Sequence, residues 1–150
     1  MAIYQDTYLD TLPVGYPGMV ANGETSNRIS RTIKDAGGIG FGKAVFEGTD
    51  EHSCSATGNA AAFLGISIAH EALAPIVGGT PDVFPQNANV PIMTLGVIWV
   101  LAAASVTKRD LVYVTSAGAF TNSSSNNTLL AGWVFDTTAA SGGLVKIAKR

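Results

Sequence analysis

VPIMTLGVIWVLAAASVTKRDLVYVT, residues 90 to 115, decides how the rest of the sequence is read. Two apolar runs rich in β-branched residues flank a polar loop from Ser105 to Asp110, the pattern of two antiparallel strands joined by a turn. In the first run Leu95, Val97, Trp99 and Leu101 point one way, and Ile98, Val100 and Ala102 the other. Both faces are therefore apolar. A strand with one face in water alternates apolar with polar residues, so this one reads as covered on both sides, by a second sheet or by another subunit. A membrane-spanning helix is the competing reading. The stretch from Ile92 to Ala104 falls short of the ~20 residues a helix needs to cross a bilayer, and Lys108, Arg109 and Asp110 follow at once. It reads as a buried strand.

Beyond this stretch, Ala117 to Thr121 suggests a short strand and Ser123 to Asn127 a polar tip. Thr128 to Thr137 (TLLAGWVFDT) predicts another strand, with Leu129, Trp133 and Phe135 on one face. Ser141-Gly-Gly turns the chain into a last strand from Leu144 to Lys149, whose Val145 and Ile147 face inward. Upstream, Ile39 to Glu47 (IGFGKAVFE) reads as the first core strand and the polar residues Gly48 to Asn59 as a loop. Ala60 to Glu71 fits a helical stripe (Phe63, Ile66, His70) as well as a strand (Leu64, Ile66, Ile68); Gly65 and the two isoleucines favour the strand. Leu73 to Ala88, with Pro75, Gly78-Gly79, Pro81 and Pro85, is a long connection. Short strands punctuated by turns predict an all-β, single-domain protein: a β-sandwich, jelly roll or barrel.

Residues 1–36 differ from the β-domain of residues 37–150. They are polar, with Tyr4, Tyr8 and Tyr16 among too few apolar side chains to make a core, and they read as an extended N-terminal arm. Such a segment orders only against something else, either its own domain or a partner, and tyrosines are good anchors for that. In Gly15-Tyr16-Pro17-Gly18, Pro17 supplies the fixed φ and Gly18 the positive φ of a type II turn. Asn22-Gly23 is a second turn, and Asn27 to Lys34 (NRISRTIK) a short edge strand. On this reading residues 1–24 are separable from a folded β-domain.

The 150 residues are long enough to close one core. Only 13% of them are charged, against roughly 25% in an ordinary soluble protein. With so few charges to cover its surface, the protein is expected to hide part of that surface against partners; a neutral but polar surface is the plainer alternative. The net charge of −2 offers no footprint for nucleic acid, and no partner membrane is indicated. Lys146, Lys149 and Arg150 read as a solvated basic tail. The lone Cys54 excludes an internal disulfide framework, and MAIYQDTYLD lacks the charged and apolar regions of a signal peptide, which fits synthesis in a reducing cytoplasm. The acceptor patterns at Asn122 and Asn126 then carry no weight.

Chemistry is hard to find. GGIGFG at 37–42 fails the spacing of the dinucleotide fingerprint and precedes a strand rather than following one. Gly65-Ile-Ser67-Ile-Ala69 misses the nucleophile elbow by one residue. Glu51, His52 and Cys54 have no recognised metal spacing, and no third group orients His52 or His70 toward Cys54. No cofactor and no catalytic residue is expected.

One set of pieces is informative in its order. Gly15-Tyr16-Pro17-Gly18-Met19-Val20-Ala21, then Asn27-Arg28-Ile29-Ser30-Arg31, FLGIS at 63–67, VIWV at 97–100, RDLVYV at 109–114, GAFTN at 118–122 and SGGLVKI at 141–147 resemble the structural cement, or head decoration, proteins of tailed bacteriophages. The likeness spans nearly the whole length; the Ala-rich 56–62 and Ser/Asn-rich 122–127 depart from it. The resemblance implies a non-enzymatic dimer or trimer on the outer capsid surface that ties major capsid subunits together. It places the matching positions from Tyr16 to Arg31 on the shell, with Tyr16, Pro17, Gly18, Arg28, Ile29 and Arg31 as contacts, and the tyrosine anchors Tyr4 and Tyr8 of the same arm join them as candidates on their residue type. A self-assembling tail or fibre module that binds another virion protein or a host receptor is the alternative. A small hydrolase built on Ser67 and the histidines is a third reading.

Overall fold

The apolar run of residues 90–101 is one long strand, and the rest of the protein is hydrogen-bonded around it in this computed structural model, which describes residues 14–70 and 80–150. The strands in chain order are β1 (Asn27–Ile33), β2 (Ile39–Gly40), β3 (Ala44–Glu47), β4 (Ser53–Ser55), β5 (Phe63–Ser67) and β6 (Val83–Phe84). They continue with β7 (Asn89–Leu101), β8 (Leu111–Val114), β9 (Phe120–Thr121), β10 (Thr128–Phe135) and β11 (Leu144–Lys149). A 3-10 turn, Ala60–Ala62, precedes β5, capped by the Asn59 side chain, which accepts the N–H groups of Ala61 and Ala62. The predicted all-β class holds. Among the described residues no helix is long and apolar enough to cross a membrane.

Two rings share β7. Its first half pairs antiparallel with β1, from Thr32 opposite Asn89 to Asn27 opposite Leu95, and with β5 at Met93 and Ile92. Because β1 also pairs with β4, β4 with β3 and β3 with β5, these five strands close on themselves. The second half of β7 pairs with β11, from Leu101 opposite Leu144 to Gly96 opposite Lys149. From there the order runs β11-β10-β8-β9, and a parallel bridge from Phe120 to Ala102 brings the sheet back to the end of β7. Closure of this kind leaves few sheet edges to pair with other chains. Ile33, Val45, Cys54, Val90 and Ile92 fill the first ring with Ile39 and Phe84. Ile98, Val100, Leu130, Trp133, Phe135, Val145 and Ile147 form the larger core of the second.

Several expectations need correction. The runs on either side of 105–110 are both strands, but they are not a hairpin: β8 pairs with β9 and β10, and β11 and β10 lie between it and β7. The turn is real, with Asp110 N–H bonded to the Thr107 carbonyl at 3.0 Å, yet Val106 pairs with Ala139 and not with β8. Local pattern announces a strand without naming its partner. Asn27–Ile33 is not an edge strand either, since it is bonded on one side to β4 and on the other to β7. The run Ile39 to Glu47 is broken at Phe41-Gly42 into β2, which pairs with β6, and β3. The supposed loop from Gly48 to Asn59 contains β4, and Cys54 is fully buried within it.

The inward face of β10 also differs. Leu129 is 41% exposed, while Leu130 is buried beside Trp133 and Phe135. Six residues of β10, from Leu129 to Val134, answer three of β8, from Tyr113 to Leu111, and Gly132 takes up the bulge at φ 82°. That extra length shifts the side chains by one. The strand assignment for the Ala60–Glu71 region holds as β5, and β9 and β11 lie where expected; Glu71 and the first part of the long connection fall outside the described residues.

Leu130→Ala is expected to cost about 2–5 kcal/mol of unfolding free energy in a urea titration. Leu129→Ala should cost no more than about 0.5 kcal/mol, and equal losses would mean that the bulge does not choose between the two leucines. Burial in β4, assisted by the nearby Asp35 carboxylate, raises the Cys54 thiol from 9.0 to about 11. The folded protein keeps a proton that the unfolded chain gives up. The stability linked to it is intact below pH 9 and is lost as the pH climbs toward 11. A Cys54→Ala variant should lack this share of the alkaline loss; identical pH profiles for the two proteins would refute the assignment.

Candidate functional site

The residues that suggested chemistry are scattered or sealed. Ser67 is buried; its hydroxyl donates to the Gly40 carbonyl at 2.7 Å and accepts the Lys43 N–H at 2.9 Å, so it ties β5 to the bend before β3. Cys54 lies inside the first ring, whereas His52 and His70 are exposed. The Asp50 carboxylate accepts the His52 backbone N–H at 2.9 Å, which holds it below its ordinary pKa. Among the described residues no cluster of histidine, cysteine, aspartate or glutamate is arranged to hold a metal ion.

The candidate contact residues form two groups. Tyr16, Pro17 and Gly18 make the expected turn, with Met19 N–H bonded to the Tyr16 carbonyl at 3.1 Å and Gly18 at φ 83°. The turn is not loose. Gly18 donates to the Trp99 carbonyl at 2.7 Å, Trp99 donates to Met19 at 2.9 Å, and Ala21 donates to Val97 at 3.0 Å, so residues 18–21 run as an extra strand along the second half of β7. The Gly18 carbonyl also accepts the Ala69 N–H at 2.9 Å. Gly18 is buried, and its part in any contact is to shape the turn.

Arg28, Ile29 and Arg31 sit on β1, against the first half of β7. Met93, opposite Arg28, and Trp99 are six residues apart on β7, a separation of roughly 20 Å. Arg28 is exposed, Arg31 is half-buried and donates to the Ser30 carbonyl at 2.9 Å, and Ile29 packs under the first-ring core. Tyr4 and Tyr8 lie outside the described residues.

Beside the turn lies a recess of about 550 Å³ that sequence reasoning missed, lined by Tyr16, Pro17, Phe41, Lys43, His70 and Leu101 among others. Its rim is apolar and open to solvent: Tyr16 is 43% and Leu101 44% exposed, and Val14, two residues upstream, 73%. The lining comes from separate stretches of chain, and no one stretch carries a signal for it. Lysine and histidine are present, but ion pairs among the described residues involve Arg150 alone. That guanidinium grips the Glu24 carboxylate at 2.9 and 3.0 Å and Asp136 at 3.4 Å, which lowers the Glu24 pKa and ties the loop before β1 to the end of β10. This end of the molecule can offer a partner shape and apolar surface, with Lys43 and Asp82 as the charged groups of the recess lining.

Residues 4–149 match the family described as structural cement protein (E217 gp24/Pam3 gp6). Among solved structures, a chain of the capsid of Myoviridae phage XM1 is similar over 98% of this chain and 97% of its own, with a TM-score of 0.74 and 20% identity. The N base of the head fibre gp8.5 of bacteriophage phi29 is similar over 84% of this chain and 95% of its own, at TM-score 0.48 and 13% identity. No curated protein matches the sequence. With a shared profile over all but the ends and the fold of a capsid chain, this protein belongs to the structural cement family of phages: it is a virion structural protein that associates with capsid proteins and stabilises the shell.

Proposed function

We propose that the protein decorates the outer surface of the shell, does no catalysis, and docks through the end that carries Val14, Tyr16, Leu101 and the recess beside them. The observation that carries this reading is the meeting of two exposed apolar side chains, Tyr16 and Leu101, on the rim of one cavity, with exposed Val14 two residues ahead of Tyr16. The chain ahead of Val14, with Tyr4 and Tyr8, serves as the clasping arm, and the major capsid protein is the partner. Residues 18–33 belong with the barrel, because they are bonded to β7 and β4. Arg28 and Arg31 on β1 provide a second contact on a neighbouring shell subunit, so that one molecule spans two.

Each contact is small, and a dimer or trimer on a repeating lattice gains avidity of about 10²–10⁴ where the spacing matches. No nucleic acid or membrane is involved, and synthesis is in the bacterial cytoplasm before assembly. With shape and apolar surface carrying the main contact and Arg28 and Arg31 adding the charged share, attachment depends little on salt.

The test is sedimentation of the purified protein with undecorated expanded capsids. The full chain should co-sediment with little change between low and moderate ionic strength, whereas a steep loss of occupancy would show that charge carries the contact. A chain lacking residues 1–13 should keep its melting transition and leave the shell; full occupancy by it would show the arm to be dispensable. A cut at residue 24 is the wrong experiment, since it removes the strand at 18–21 and the Glu24 bond to Arg150.

A further inference from the structure

We propose that Trp99 is the seat of the arm, a positioning residue that fixes the direction in which the chain ahead of Gly15 leaves the body. This rests on the reading that the arm grips the shell. Trp99 lies in the second half of β7 with its indole half-buried. Gly15 lies directly on that ring: a Cβ added there would stand 2.9 Å from both Cδ1 and Nε1, closer than any real side chain approaches. Only glycine brings the backbone so near. Lys146, opposite Trp99 on β11, holds its ammonium 5.5 Å from the ring centroid. The backbone of Trp99 grips the same segment, accepting from Gly18 and donating to Met19.

The next turn is equally constrained. A Cβ on Gly18 would stand 2.8 Å from the backbone nitrogens of Ala69 and Gly42. Residues 15–19 therefore form a bracket hydrogen-bonded to Trp99 and to Ala69 after β5 and packed closely against Gly42 after β2. A flexible root would lose its freedom on docking and weaken the contact, whereas this one is ordered beforehand. The bracket also accounts for a tryptophan on an outward position of β7, where a solvent-facing strand residue needs no such ring.

Gly15→Val, tested in the full chain, should raise acrylamide quenching of tryptophan emission, because Trp133 is buried and the change reports Trp99. Its far-ultraviolet spectrum should be kept, and its apparent affinity for undecorated expanded shells should fall about tenfold or more. Trp99→Leu, which removes the ring without a clash, should lower shell affinity in the same way, and serves if the valine variant fails to fold. Wild-type affinity in both variants, while the chain lacking residues 1–13 loses binding, would overturn the proposal: the arm would then act without a seat. If the chain lacking residues 1–13 binds as well as the full chain, the arm reading has failed instead. The seat is then judged by quenching alone, and unchanged quenching in Gly15→Val would overturn it.

Discussion

The backbone pairing of β7 is the constraint on which the rest depends. Its first half is bonded to β1 and β5, and its second half to β11 and the run 18–21. A strand apolar on both faces is costly in water and costly inside if its N–H and C=O groups are left unpaired. Burial of both faces and pairing of both edges are met together only if the chain wraps around it. Two rings sharing one wall is that solution, and it makes a body with few open edges from many short strands.

The body explains what kind of binder this is. Its cores are apolar, its surface is poor in charge, and its described ion pairs gather at Arg150. A protein that must hold to a shell of many identical subunits needs repeatable geometry more than long-range attraction. Preformed turns and a closed barrel supply it. The cover over Trp99 on the outer side of β7 comes from the chain's own Gly15, where reading the sequence left a second sheet or another subunit open. Part of the apolar surface that the composition seemed to assign to partners is thus hidden within one molecule.

What was legible and what was not divide along one physical line. Alternation and β-branching mark β5, β7, β8, β10 and β11 because side-chain periodicity is a local property. The Pro17-Gly18 turn was legible for the same reason, each residue demanding its own φ. The bulge in β10 was not, since Gly132 permits it but only the mismatch with β8 requires it. Nor was β4, three residues whose serine and cysteine become core only once β1 and β3 lie beside them. The recess was invisible for a plainer reason: Tyr16, Phe41, His70 and Leu101 are far apart in the chain.

The amino-acid sequence by itself determined an all-β chain, the turn at Pro17-Gly18 and the likeness to cement proteins. These follow from residue type and short-range order. Tertiary structure alone decided which strands pair, that residues 27–33 belong to the barrel wall, and that Gly15 rests on Trp99. Such contacts depend on loop closure and on the fit of distant apolar faces, whose free energy is set by the whole assembly of strands and is written in no single segment.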